Sequence, residues 1–352
     1  MSKMKLIMES WRHFLKEDMT EEAAAQWIAD QLVPLIDQSN AATYKENLGK
    51  LVAALNSPEG QDPEVRKLLL KGDEDKEPHD EDIVVLENQK PKQGLLRPTQ
   101  GVIDIKKSAG FNGGSPEGLA GVLGGTSPAP PILVCGDPGK LMFIVDGHHR
   151  WSGAAVYNLN VRIPCDIIKV DPYKALLISQ MAIAGVVPGD LPQATATAGT
   201  SIIGPAGGDN ARMSPQAILS FLLKATGINP KTMKQEGEPV RLDDAKNRET
   251  GEYKTGPFLN PEVLEVCRRY KFAFDELEGQ EADDTALKIA VCKKVAKNCA
   301  KIGEEYDQVA PEREIMPQFD PDLSPKAGPD FDAEPKQAFK AGKVNFQGSV
   351  KK

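Results

Sequence analysis

The chain has no C-x-x-C pair, and its five cysteines (Cys135, Cys165, Cys267, Cys292 and Cys299) are an odd number. That pattern predicts buried thiols in a reducing compartment rather than a disulfide framework, and it offers no zinc site by spacing. No apolar run approaches the roughly 18 residues that a membrane-spanning helix needs, so no membrane partner is expected. The opening MSKMKLIMES is too short and too polar for a secretory signal, which predicts a soluble, cytoplasmic protein. Positive charge is also in short supply: 43 Lys and Arg stand against 51 Asp and Glu, a net charge of −8. Such a balance disfavours broad non-specific binding to DNA and leaves room for a local cationic pocket only. Histidine is scarce as well, and two of the four adjoin.

What is present is an ordinary globular composition with heavy punctuation. Hydrophobic residues at 40% and charged residues at 27% fit a soluble domain, while 31 Gly and 27 Pro predict many turns. A chain of 352 residues can build one large core or two ordinary ones.

Periodicity divides the chain. Residues 4 to 17 place Met4, Ile7, Met8, Trp11, Phe14 and Leu15 on one helical face, either to dock on the protein itself or to reach a partner. Helices are expected from Thr20, a cap followed by early acids, to Asp37, from Ala41 to Leu55, and over Pro63 to Leu70. These make an N-terminal helical segment, 1–70. A charged linker, 71–82, follows, and His79 within it reads as a solvated side chain. From Ile83 the pattern turns to short strands: IVVLEN, GVIDIKK (101 to 107), PPILVC, KLMFIVDG and VRIPCDIIKV. LLRPTQ reads as a turn around Pro98, and the Gly-136-to-139 segment as the turn of a hairpin. The Gly/Ser/Pro-rich stretch from 108 to 131 reads as an irregular loop, a lid or a loose insert. Helices are expected from His148 to Tyr157 and from Tyr173 to Ala184. Residues 83–185 thus form a small mixed α/β domain; 186–213 is a Gly/Pro-rich linker. A C-terminal helical region, 214–308, starts at the Ser214-Pro215 cap, has Gly227 as a stop, and includes helices from Pro261 to Glu276 and from Asp283 to Asp307. The remainder, 309–352, reads as an extended or disordered tail, and the expected class is α+β.

The string IVDGHHRW, residues 144 to 151, falls where a strand passes into a helix. Gly147 lets backbone approach a ligand, and the unpaired amides that open the helix favour an anion. Arg150 adds a forked donor suited to phosphate, and His148 and His149 add donors whose charge changes near neutral pH. Asp146 is placed to orient an imidazole, to hold Mg²⁺ among phosphate oxygens, or to take a proton from an attacking hydroxyl. The bland reading of either histidine alone is a cap or a satisfied polar group; no packing rule asks for the whole string.

IVDGHHRWSGAAVYNLNVRIPCDII resembles the signature of the ParB/sulfiredoxin-like superfamily, and LLRPTQGVIDIKKS resembles the family's first box. The likeness spans roughly residues 83 to 172. Gly147, His148, His149 and Arg150 stand where ParB-type partition proteins carry Gly-Glu-Arg-Arg, and Trp151 and Ala154 match as well, which implies nucleotide phosphate contacts. Sulfiredoxins carry a nucleophilic cysteine where this chain has His148, so sulfinic acid reduction is not expected. The resemblance implies a nucleotide partner, ATP or CTP with Mg²⁺, and phosphoryl transfer or hydrolysis. Asp146 and His148 would then be catalytic, Asp146 would be the metal ligand, and Gly147, His149 and Arg150 would grip phosphates. Thr99, Gln100 and Lys106 (or Lys107) would contact base, ribose or phosphate.

Two alternatives accompany this reading. The segment KLIMESWRHFLKE resembles leaders of proteins encoded by large tailed bacteriophages, with Ile7-Met8-Glu9 similar to a prohead-protease site. That implies a non-catalytic virion or assembly protein, with capsid partners and a place in the bacterial host cell or the particle. The other is a ParB-like DNA-binding protein or nuclease, although no helix-turn-helix is evident after Asp171.

Overall fold

In the computed structural model, residues 19–70, 85–186, 202–203, 212–242 and 250–306 are described. The expected helix over 4–17, the linker 71–82 with His79, most of the 186–213 segment and the tail 309–352 lie outside them. The fold is mixed, helices with a mixed sheet, in two compact units: residues within 1–84 and 173–194 form one, those within 85–172 and 195–314 the other.

The first unit is helical. Thr20 caps α1 (Glu21–Gln31), its hydroxyl accepting the Ala23 amide at 3.2 Å. The helix expected to run on to Asp37 breaks at Leu32, because Pro34 falls inside it, and restarts as α2 (Val33–Asp37). Next come α3 (Tyr44–Leu55) and α4 (Pro63–Leu70). Arg66 ties loop carbonyls to helix ends, donating to Gly60 O at 2.8 Å, to Leu55 O at 2.9 Å and to Ala184 O of α8 (Pro172–Val186). Tyr44 packs against Tyr173 with the rings tilted by 56° and their centroids 5.5 Å apart.

The second unit is built on a five-stranded sheet. Its strands are β1 (Val85–Gln89), β2 (Leu96–Pro98), β3 (Ile132–Cys135), β4 (Met142–Asp146) and β5 (Cys165–Ile168), in spatial order β1-β5-β3-β4-β2. β3 and β5 are parallel and buried along their whole length; β3 is an unbroken apolar run, and the one charged residue of β5, Asp166, accepts the Asn88 amide at 3.0 Å. The hairpin expected at Gly136 to Gly139 joins β3 to β4 antiparallel. β4 is parallel to β2, so the ends of both strands open on the same edge.

Three expectations fail between 93 and 131. Pro98 closes strand β2 instead of centring a turn. GVIDIKK is no strand: Asp104 caps a helix, its carboxylate accepting the Lys106 amide at 2.8 Å, and α5 runs from Ile105 to Gly113. The stretch from 108 to 131 is no lid either, since Ser115 caps a second helix, α6 (Pro116–Leu123), with Pro116 at its first position. α7 (His148–Ala155) follows β4 as expected.

Ser214 caps α9 (Pro215–Ala225), and Gly227 turns the chain at φ 77°. A two-residue pairing of β6 (Ile228–Asn229) with β7 (Lys234–Gln235) interrupts the expected loop. α10 (Pro261–Arg269) stops short of Glu276, and Phe274–Glu276 forms a separate 3-10 turn. α11 (Asp284–Tyr306) closes the unit. One continuous apolar cluster joins Leu96, Ile144 and Trp151 to Leu222, Val291 and Ile302. Sheet and C-terminal helices therefore share a core, where the sequence suggested separate bodies.

Candidate functional site

The strand-to-helix corner is set by Gly147. Its φ of 95° lies where L side chains are strained, and a Cβ there would stand 2.5 Å from Ile132 Cγ2 on β3. As N-cap it supplies no side-chain bond to α7, so the first-turn amides keep the partial positive charge of a helix start.

Arg150 leans back over that corner. Its Nη2 lies 3.2 Å from the place a Gly147 Cβ would occupy. Nη1 donates to Pro130 O at 3.2 Å and Pro131 O at 3.1 Å, and Nη2 pairs with Asp146 Oδ2 at 3.3 Å. The guanidinium is mostly covered, 17% exposed, whereas the Asp146 side chain is 55% exposed. Positive charge at the mouth of the helix is thus balanced by a carboxylate that faces water.

His148 points the other way. It is 3% exposed, and its Nε2 accepts the amide of Thr99, fully buried at the end of β2, at 3.0 Å. The Thr99 hydroxyl donates to Ile144 O on β4 at 2.6 Å and also lies 3.2 Å from Nε2. Because Nε2 takes an N–H, it carries no proton in this arrangement. The imidazole therefore ties the end of β2 to the start of α7, and this bond, not solvent access, is what the burial provides.

Of the residues singled out by sequence, the structure brings Asp146, Gly147, His148, Arg150 and Thr99 together at one edge of the sheet. His149 is half-buried in the first turn of α7, and Gln100 is half-buried just past Thr99. Lys106 sits on α5, exposed, with its amide held by Asp104.

Several supporting groups escaped the sequence. The Pro130 and Pro131 carbonyls that hold Arg150 gave no signal beyond a Pro-Pro pair. Ser152 donates to His148 O at 2.8 Å and meets the Ser108 hydroxyl at 2.7 Å, and Asn112 Nδ2 donates to Gly153 O at 2.9 Å. Ser152 lies four residues after His148, a spacing that could have flagged it. No thiol is a ready nucleophile: all five cysteines are buried, and burial pushes Cys165 and Cys267 up to about 12 and the others higher. Among the described residues no three metal-ligating side chains converge, and no helix is long and apolar enough to cross a membrane. No protein-family model matches the chain, and neither a curated protein nor a solved structure does.

Proposed function

We propose that the β4–α7 corner is the phosphate-binding site of a ParB/sulfiredoxin-like nucleotide-binding protein that takes ATP or CTP with Mg²⁺ and transfers or hydrolyses the terminal phosphoryl group. The observation that supports this is the Arg150 guanidinium lying over Gly147 at an N-terminus without a side-chain cap. Main-chain amides of His148, His149 and Arg150 then face the anion. Three bonds to Pro130, Pro131 and Asp146 fix the plane of the guanidinium and leave part of its five-donor fork for a ligand.

In this reading Asp146 occupies the anion's place when no ligand is bound. An arriving phosphate takes over Nη2, and the carboxylate released beside it holds Mg²⁺ or accepts a proton from the attacking hydroxyl. His148, with Nε2 committed to Thr99, keeps the two strand ends and the helix start in register. Thr99 acts with it, and Gln100 and Lys106 are the proposed outer contacts to ribose or phosphate. Such catalysis rests on positioning and electrostatics.

The test is a thermal-shift and calorimetric titration with ATP and with CTP, with and without Mg²⁺. A nucleotide at one hundred times its Kd adds about 2.7 kcal/mol to apparent stability, which raises the melting point. Asp146→Asn is expected to tighten binding without Mg²⁺, by freeing Arg150, and to remove the gain that Mg²⁺ gives. Arg150→Lys is expected to weaken binding at least ten-fold, since a point charge does not replace the fork. No shift with any triphosphate would end the reading.

One observation favours a second reading. A histidine buried to 3% and bonded to main chain, with an arginine clamped by two carbonyls, is also what a purely structural corner looks like. We therefore keep the non-catalytic virion or assembly protein as the alternative, supported by co-sedimentation with capsids and no nucleotide response. DNA binding or cleavage ranks behind both because of the net charge of −8.

A further inference from the structure

A groove of about 570 Å³ runs between α6 and α10, away from the Gly147 corner in sequence and lined by other residues. One wall comes from α6, with Glu117 and Ala120 one turn apart; the other comes from Glu262, Glu265, Val266 and Arg269, which recur at helical spacing on one face of α10. The floor is apolar and small. Val266 is 5% exposed and Ala120 is half-buried, while all three glutamates stand exposed.

The charge is unbalanced. Three glutamates line it against one arginine, Arg269; Glu265 has Arg268 at 3.6 Å, and among the described residues Glu117 and Glu262 pair with no cation although they flank the same space. Both occupy the first turn of their helices, where the helix dipole favours a negative side chain. A void this size, far larger than an ion needs, with carboxylates on both sides of an apolar floor, fits an extended chain that puts ammonium groups at the edges and a small apolar side chain between them.

We infer that the α6–α10 groove docks a lysine-bearing peptide segment of a partner protein, with Glu117 and Glu262 pairing its ammonium groups and Ala120 and Val266 receiving the intervening apolar side chain. This inference stands whether or not the corner binds nucleotide. The groove's carboxylates give the partner its charge, and its apolar floor calls for an apolar side chain between the ammonium groups.

The experiment is a fluorescence-anisotropy titration of the full chain with a labelled hexapeptide of alternating lysine and alanine, against a control in which glutamate replaces lysine. The lysine peptide alone is expected to bind, and its binding is expected to vanish at about 1 M salt, where the screening length falls to about 3 Å. Glu117→Gln with Glu262→Gln should weaken it about five-fold, the sum of two exposed ion pairs. Ala120→Leu, which fills the floor and leaves every charge in place, should weaken it comparably. Both positions are on the surface side of their helices, so unchanged melting separates lost docking from lost fold. No binding to the wild-type chain, equal binding in the glutamine variant, or indifference to Ala120→Leu each overturns the proposal; the last leaves only a diffuse attraction between opposite charges.

Discussion

Where α5 lies against α7 the contact includes polar groups: the Ser108 and Ser152 hydroxyls meet, Asn112 bonds the Gly153 carbonyl, and His148 bonds Thr99 nearby. In the C-terminal half of the same unit, α9, α10 and α11 mostly bury apolar groups, Leu222, Leu223, Val263, Val291, Val295, Cys267, Cys292 and Cys299; the Lys293–Glu278 and Lys294–Asp275 pairs stay outside, Glu276 is buried under an exposed Lys297, and one buried bond runs from Asn298 Nδ2 to Val156 O at 2.9 Å. Both halves belong to one apolar cluster, yet they differ in what specifies them. Buried hydrogen bonds have direction and cost free energy when broken, so they fix the corner's geometry; dispersion and exclusion of water fill the helical half with little demand on angle. A binding corner needs the first kind of order.

The largest effect expected from this difference is alkaline. The ordinary thiol value is 9.0, and burial holds Cys165 and Cys267 near 12 and Cys292 and Cys299 beyond that. The folded chain thus keeps protons that the unfolded chain loses above pH 9, so this stability is complete below that pH and falls as pH rises towards the folded value. The loss is about 1.4 kcal/mol per pH unit for each such thiol. Urea midpoints at pH 8 and pH 10.5 measure it, and Cys267→Ala should flatten the slope by one thiol. A slope unmoved by that variant would show that the helical half is not as dry as its burial suggests.

Backbone comes second. Gly147→Val meets Ile132 and must adopt φ 95°, and strain plus overpacking together cost about 3–5 kcal/mol. Gly49, exposed on α3 with nothing within 4 Å of a Cβ, gives the opposite sign: Gly49→Ala should stabilise by about 0.5–1 kcal/mol. Equal responses at the two sites would mean that the corner is not built on its glycine.

The same contrast explains what could be read in advance. Strand, turn, strand, helix, strand was legible from Ile132 to Ile168, because β-branched runs, the Gly136–Gly139 turn and the His148 helix each carry a local signal. Residues 101 to 131 were not. Their glycines looked like loop, but a Cβ on Gly113 of α5 would collide with the Tyr157 hydroxyl and the Phe258 ring, so that glycine is there for close packing against a partner 145 residues away. Asp104 and Ser115, the two caps, were the signals that could have outweighed it. At the corner, Asp146, Gly147 and Arg150 were legible as a group, whereas the partners of His148 and Arg150 come from Thr99, Pro130 and Pro131, whose placement depends on sheet order and not on spacing.

A smaller effect is expected at the buried bond itself. His148→Ala leaves the Thr99 amide without its acceptor in a fully buried setting, a loss of about 2 kcal/mol. His148→Gln offers a carbonyl oxygen in reach of the same amide and should recover part of it. Amide hydrogen exchange at Thr99 reads the bond directly: protection should drop in the alanine variant and return in the glutamine one. Protection unchanged in both would make His148 a space-filler and remove the tie between β2 and α7.

The smallest effect belongs to the surface of α11. Lys294 holds the Asp275 carboxyl below its ordinary value through a direct hydrogen bond, so the pair stabilises above the unfolded carboxylate value and the contribution fades as pH falls through the folded one. Asp275 is 61% exposed, and water and salt screen most of that gain. Lys294→Ala is therefore expected to cost less than about 0.5 kcal/mol at neutral pH. If it cost as much as His148→Ala, the turn at 274–276 would be held by charge instead of by its buried Leu277 and Phe272, and the C-terminal half would owe its geometry to directed polar contacts, as the corner does.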